Sequence, residues 1–193
     1  MIQQKLSKYN VILASGSPRR QQFFKDLEID FSIELKPVNE VYPKELVAEE
    51  ITDYLADLKS KAFKNLNHND LLVTSDTIVW LENKALGKPK DNDEAFKMLS
   101  NLSGKEHKVI TSVSLKTNSF QKIFNDVTKV TFKNLTSDEI KYYIKNYKPF
   151  DKAGSYGIQE WIGFIGIEKI EGSYFNVVGL PVQKLYSELM NSL

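Results

Sequence analysis

The ten residues Leu71-Leu72-Val73-Thr74-Ser75-Asp76-Thr77-Ile78-Val79-Trp80 leave this chain few choices. They form an apolar, β-branched run directly after the turn signal His68-Asn69-Asp70, the pattern of a strand buried at the centre of a sheet. Asp76 stands in the middle of that run. A carboxylate so placed carries a large desolvation cost unless it is paired, solvated at a strand end, or bound to a cation, and the run by itself leaves all three open.

A second strand, Lys8 to Leu13, leads through Ala14-Ser15-Gly16-Ser17 into a helical pattern from Pro18 to Glu28. Pro18 suits a first helical position because it has no N–H to leave unpaired, and Ser15 or Ser17 is a candidate cap. Gly16 lets the backbone approach a ligand closely, and Arg19 and Arg20 follow at the helix start. Such a helix N-terminus is either an anion site, favoured by dipole and guanidinium groups, or a capped helix with two solvated arginines. It is not a Walker A loop, which ends in Gly-Lys-Ser/Thr.

Further along, Phe31–Leu35 alternates like a half-buried strand, Val38–Pro43 is a proline-bounded loop, and Glu45 to Asn65 is a long helix. A loop from Asn83 to Lys90 is followed by a helix from Asn92 to Leu102, strands His107–Leu115 and Ile123–Phe132 spaced as a hairpin, and a helix starting at Thr136-Ser137-Asp138-Glu139. Phe150 to Gln159 has no period and reads as a glycine-shaped loop. Phe164–Ile170 reads as strand, Glu171–Tyr174 as a turn, and Pro181 opens a final helix.

The 193 residues suffice for one domain of two lobes, with 41% apolar and 26% charged residues as in ordinary globular proteins. The absence of cysteine excludes disulfides and thiolate zinc sites, and His68 and His107 have no ligand spacing between them. No apolar run is long enough to span a membrane, and Met1-Ile2-Gln3-Gln4-Lys5 lacks the core of a signal peptide, so a cytoplasmic protein with no membrane partner is expected. A net charge of +1 gives no support for nucleic-acid binding, so any anion site is local.

The runs LASGSPRR (13–20), SDTIV (75–79), GKPKD (87–91), LSGKEHKV (102–109), DKAGSYGIQ (151–159) and GSYFNVVGLPV (172–182) resemble the ordered motif set of the Maf family of nucleoside triphosphate pyrophosphatases. Arg19, Thr77 and Gln159 resemble the residues of the branch that acts on dTTP and UTP, whereas the branch for methylated guanine nucleotides typically differs at the position of Thr77. Many members have Glu-Pro where this chain has Lys148-Pro149, Gly where it has Glu160, and Thr-Gly where it has Thr111-Ser112. These departures sit beside the motifs.

The resemblance implies a mixed α/β fold with flanking helices and two lobes around a cleft, commonly a dimer. It also implies a nucleoside triphosphate substrate cleaved between the α- and β-phosphates. Asp76 resembles the family's catalytic proton acceptor and Glu40 its partner, and together they are expected to hold a divalent cation, Mg²⁺ or Mn²⁺, through oxygen. Arg19, Arg20, Lys61, Lys88 and Lys152 are the cations expected around the phosphates, with Ser15 and turn amides as neutral donors. Arg19, Thr77 and Gln159 are expected, from the same resemblance, to carry base choice. Two other readings stand beside this one: a regulator that binds a triphosphate without cleaving it, and a pyrophosphatase for methylated purine nucleotides.

Overall fold

The computed structural model describes residues 1–193, whose seven strands form one mixed sheet flanked by helices, the class expected. Two compact units divide the chain: Met1–Asp76 with Thr111–Asp126 and Gly179–Leu193, and Thr77–Ile110 with Val127–Val178. The strands are β1 (Asn10–Leu13), β2 (Ser32–Ile33), β3 (Asp70–Leu81), β4 (Lys84–Leu86), β5 (Glu106–Lys116), β6 (Gln121–Phe132) and β7 (Ile167–Glu171). Their order is β2-β1-β3-β5-β6-β7, with β4 on β3.

The first unit holds helices α1 (Ile2–Leu6), α2 (Pro18–Asp26) and α3 (Glu49–Lys61), together with the terminal helix, Val182–Ser192. β1 runs parallel to β3 with Val11 opposite Leu71 and Leu13 opposite Val73. Alternation sends these four side chains into a core with Phe24, Val113, Leu115, Leu185 and Leu189. Ile12 and Leu72 face the other way, onto Phe63. β3 is thus apolar on both faces because both are covered, as its composition required.

α3 lies on β5 and β6 through polar groups. The Ser112 hydroxyl is within 2.6 Å of both Thr52 Oγ1 and Asp53 Oδ1, and Asn125 Nδ2 donates to both Asp53 oxygens. Gln121 Nε2 donates to Asp57, Ser60 and Ser114. The helix is shorter than the expected Glu45–Asn65, because Ala48 has a positive φ of 49° and breaks the helical path ahead of Glu49.

The second unit holds α4 (Asn92–Leu102), α5 (Ser137–Tyr147), α6 (Trp161–Gly166) and α7 (Tyr174–Val178). Its core joins Val79, Leu81, Leu99, Leu102, Val130, Phe132, Ile140, Tyr143 and Ile162. Asp91 caps α4 by accepting from Glu94 N–H, and Thr136 and Glu139 form a capping box on α5. The loop expected over Asn83–Lys90 contains β4, which returns antiparallel on β3 through Glu82 and Asn83, both at positive φ as a two-residue hairpin turn requires. The strand expected from Phe164 begins only at Ile167. Residues 161–166 are helical because the Glu160 carbonyl accepts from Gly163 N–H at 2.8 Å, and a Cβ on Gly163 would lie 1.9 Å from Ile158 O.

His107 is a core residue of this unit, with Nε2 2.7 Å from Tyr156 Oη and its ring stacked on Phe132. Burial lowers its pKa from 6.5 to about 4. The folded state therefore prefers the neutral ring, so stability is full above 6.5 and is lost as pH falls from there toward 4. At about 1.4 kcal/mol per unit, the loss amounts to about 3 kcal/mol. His107→Gln, which retains a hydrogen-bonding group but does not titrate, is expected to flatten this part of the profile. Urea unfolding at pH 7, 5.5 and 4 measures it, and parallel profiles would show that His107 does not set the acid sensitivity.

Candidate active site

In the first unit the turn after β1 is tied down locally. Ala14 N–H bonds Val73 O, Ser17 N–H bonds the buried Ser15 Oγ, and Gln21 Nε2 bonds Ser15 O. Ser17 occupies the cap position of α2 with Pro18 first in the helix, but no serine side chain caps it. A Cβ on Gly16 would meet only Leu35 Cδ1, at 3.6 Å, so the protein itself does not require glycine there.

Arg19 and Arg20 share the first turn of α2. Arg20 is braced inward, Nε donating to Gly179 O at 2.8 Å and a terminal nitrogen to Ser75 O at 2.9 Å. Burial lowers its pKa to about 10, against the pull of Asp76, which leaves it charged at neutral pH. Arg20 thus holds the backbone carbonyl beside Asp76 as well as adding charge to its surroundings.

Asp76, only 7% exposed, receives the Lys59 ammonium at 2.6 Å. The same Nζ lies 3.1 Å from Glu40, whose side chain is 54% exposed. Two carboxylates thus converge on one cation. Burial raises the Asp76 carboxyl above its ordinary range, while Lys59 and then Arg20 pull it back down. The result is a stronger base than a surface aspartate. Asp76 and Glu40 offer only oxygen, the donor type a hard divalent ion takes, and are the two residues that would hold one here. No group of three or more His, Asp or Glu residues converges at this cluster or at any other place in the chain.

Lys61, expected among the phosphate cations, points away from this cluster. It is 67% exposed and pairs with Asp57 one turn earlier in α3. Lys59, which no sequence motif marks, is the α3 lysine that reaches Asp76 and Glu40. Helical spacing carried the signal: residues 51, 52, 55, 56 and 60 are buried, and position 59 shares their face.

In the second unit, Thr77 follows Asp76 along β3 and is half-buried. Lys88 is exposed in the loop after β4. That loop is joined to the 151–159 loop by Gly154 N–H on Gly87 O at 3.0 Å. Gly154 has φ 67°, and a Cβ there would lie 2.6 Å from Val79 Cγ2, so this junction requires glycine. Lys152 is 8% exposed, with Nζ 2.7 Å from Asp151 and 3.0 Å from Glu160. Gln159 has its Oε1 buried with no donor in the protein. A buried acceptor of that kind is costly unless a ligand supplies the donor.

A family model described as "Maf-like protein" matches residues 10–192. The chain is 61% identical to a dTTP/UTP pyrophosphatase of Flavobacterium johnsoniae, covering 98% of each protein. It is 59% identical to one of Christiangramia forsetii, covering all of this chain and 99% of the relative. Among solved structures, a HAM1 protein from Coxiella burnetii superposes with a TM-score of 0.51 at 15% identity, over 94% of this chain and 98% of that one. That last likeness concerns the fold alone.

Proposed function

Because the chain belongs to the Maf-like protein family, we propose that it is a nucleoside triphosphate pyrophosphatase, converting dTTP and UTP to the nucleoside monophosphate and pyrophosphate. The observation that carries this reading is Asp76, a buried carboxylate of raised basicity held by Lys59 beside Glu40. A protein that only binds nucleotide has no need of such a base. The name shared by relatives at 59–61% identity supports the substrate pair.

In this mechanism Asp76 Oδ1 stays on Lys59 while Oδ2 takes the proton from the water that attacks the α-phosphorus. Lys59 keeps the carboxylate ionised until that transfer, and its pull on the ionised form limits how far burial strengthens the base. Arg20 holds the Ser75 carbonyl, next to Asp76 in the middle of β3. Asp76 and Glu40 would hold Mg²⁺ or Mn²⁺, which supplies charge neutralisation on the phosphate oxygens when bound. Arg19, Lys88 and Lys152 are the cations of the phosphate chain, with Ser15 a neutral donor. The cytoplasm, where nucleoside triphosphates are made and spent, is the compartment this activity needs, and no helix is long and apolar enough to cross a membrane.

Base choice follows from hydrogen-bond counting. Uracil and thymine carry an N3–H donor where cytosine has an acceptor, and the orphaned Oε1 of Gln159 needs a donor. Arg19 and Thr77 complete this selection in the proposed reading. The Gln159 amide can turn over, so this selection holds where its orientation is fixed; an acceptor then facing an acceptor costs about 1–3 kcal/mol, about 5- to 150-fold in kcat/KM. UTP and dTTP are therefore expected to be cleaved well ahead of CTP, with chelation stopping all turnover. Pyrophosphate release over that nucleotide panel, with Mg²⁺ or Mn²⁺ and with chelator, is the test. No pyrophosphate from any nucleotide overturns the enzyme reading, and equal rates on CTP and UTP overturn the role of Gln159.

A further inference from the structure

We propose that Glu160 is the resident counter-ion of Lys152, a positioning residue that keeps this ammonium charge-balanced until a polyphosphate displaces it, and so weakens retention of the pyrophosphate product. The inference rests on the proposed role of Lys152 as a phosphate cation.

Glu160 is largely buried and held at both its backbone and its side chain. Its backbone N–H donates to Gly157 O at 3.0 Å, and its carbonyl accepts from Gly163 and Phe164 N–H at the start of α6. One carboxylate oxygen lies 3.0 Å from Lys152 Nζ, and the other accepts a short hydrogen bond from the Tyr143 hydroxyl. Tyr143 is fully buried in α5, and its oxygen in turn accepts from Gly157 N–H at 3.0 Å. A Cβ on Gly157 would lie 2.8 Å from the Glu160 carboxyl carbon and 3.1 Å from Lys152 Cε, so the turn closes tightly over the pair. The carboxylate cannot swing away from Lys152 without giving up Tyr143.

Charge then decides the consequence. Lys152 contributes +1 and its two neighbours Asp151 and Glu160 contribute −2, so the cluster carries a net charge of −1. A phosphate arriving at Lys152 meets a carboxylate already on the ammonium, one that is four-fifths buried and poorly screened. A triphosphate held at many other points can outcompete that contact. Pyrophosphate, with fewer points of attachment, competes less well, which favours its release.

Binding of inorganic pyrophosphate to the full-length protein, by calorimetry at two ionic strengths, tests this. Glu160→Gln keeps the shape and an acceptor for Tyr143, and is expected to bind pyrophosphate about 5- to 30-fold more tightly at low salt, with the gain shrinking as salt rises. Its KM for UTP should fall and its inhibition by pyrophosphate should strengthen. Asp151→Asn, at the 55% exposed neighbour, should give a smaller gain in the same direction, and decides the matter if Glu160→Gln does not fold. Binding unchanged or weakened in Glu160→Gln overturns the proposal, as does no gain in Asp151→Asn in that second case. Lys152→Met separates the two layers: weaker pyrophosphate binding retains Lys152 as a phosphate cation whatever Glu160 does, and parental binding removes Lys152 and the counter-ion together.

Discussion

Asp76→Asn is expected to slow pyrophosphate release from UTP by about 10²- to 10⁴-fold in kcat, the range a positioned general base supplies, with little change in KM. Its effect on stability should be opposite in sign. Burial raises the carboxyl's folded pKa above its unfolded value of 3.8, so the ionised group costs stability, a cost that sets in as pH rises above 3.8 and is complete above the folded pKa. At neutral pH the neutral amide escapes that penalty, and Lys59 keeps Glu40 at 3.1 Å as its counter-charge, so the variant should unfold at the same temperature as the parent or higher. Turnover and thermal unfolding on one preparation test both halves. An Asp76→Asn protein as active as the parent would sink the proton-acceptor role.

Lys59→Met is expected to have the second largest effect, about 10²-fold in kcat/KM for UTP at neutral pH. At 2.6 Å the ammonium is both a positive charge beside Asp76 and its hydrogen-bond donor. Without it the desolvation that already raises the Asp76 carboxyl goes unopposed except by Arg20. More of the base is then protonated at pH 7, so the acid limb of the pH–rate profile should move to higher pH and alkaline solution should restore part of the activity. Removing one member of a buried pair also costs about 3–5 kcal/mol of stability, less here because Glu40 is exposed. A profile that keeps the parental limb, with only KM raised, would assign Lys59 to phosphate binding instead.

The strands could be read because their side chains obey one rule each. Leu71, Leu72 and Val73 are apolar on both faces because β3 is covered on both, and Val127 to Phe132 alternate along β6 with Thr128, Val130 and Phe132 buried. Helix starts were legible where side chains cap them, at Asp91 and Thr136. Residues 164–166 read as strand because Phe164 and Ile165 favour strands, whereas the helix over 161–166 is set by Gly163 fitting against the Ile158 carbonyl. In the site, Asp76 announced itself by being an acid in an apolar strand. Lys61 and Lys59 differ only in which side of one helix they occupy, and residue type alone does not separate them. The partners of Lys152 lie in a loop without a period, where no spacing rule links position 152 to Glu160 and Tyr143.

The polar contacts beneath α3 bear on how sharply Lys59 can be aimed. Methyl groups sliding over methyl groups tolerate many nearly equal offsets, so a greasy helix face sets its axial position only as well as its knobs fit. Asp53, Asp57 and Ser60 instead meet Ser112, Asn125 and Gln121 through directional bonds that exist at a single offset. A shift of one residue rise, about 1.5 Å, would break them together. The helix is therefore indexed like a key on its pins, and the Lys59 ammonium two turns from Thr52 inherits that setting before any nucleotide arrives.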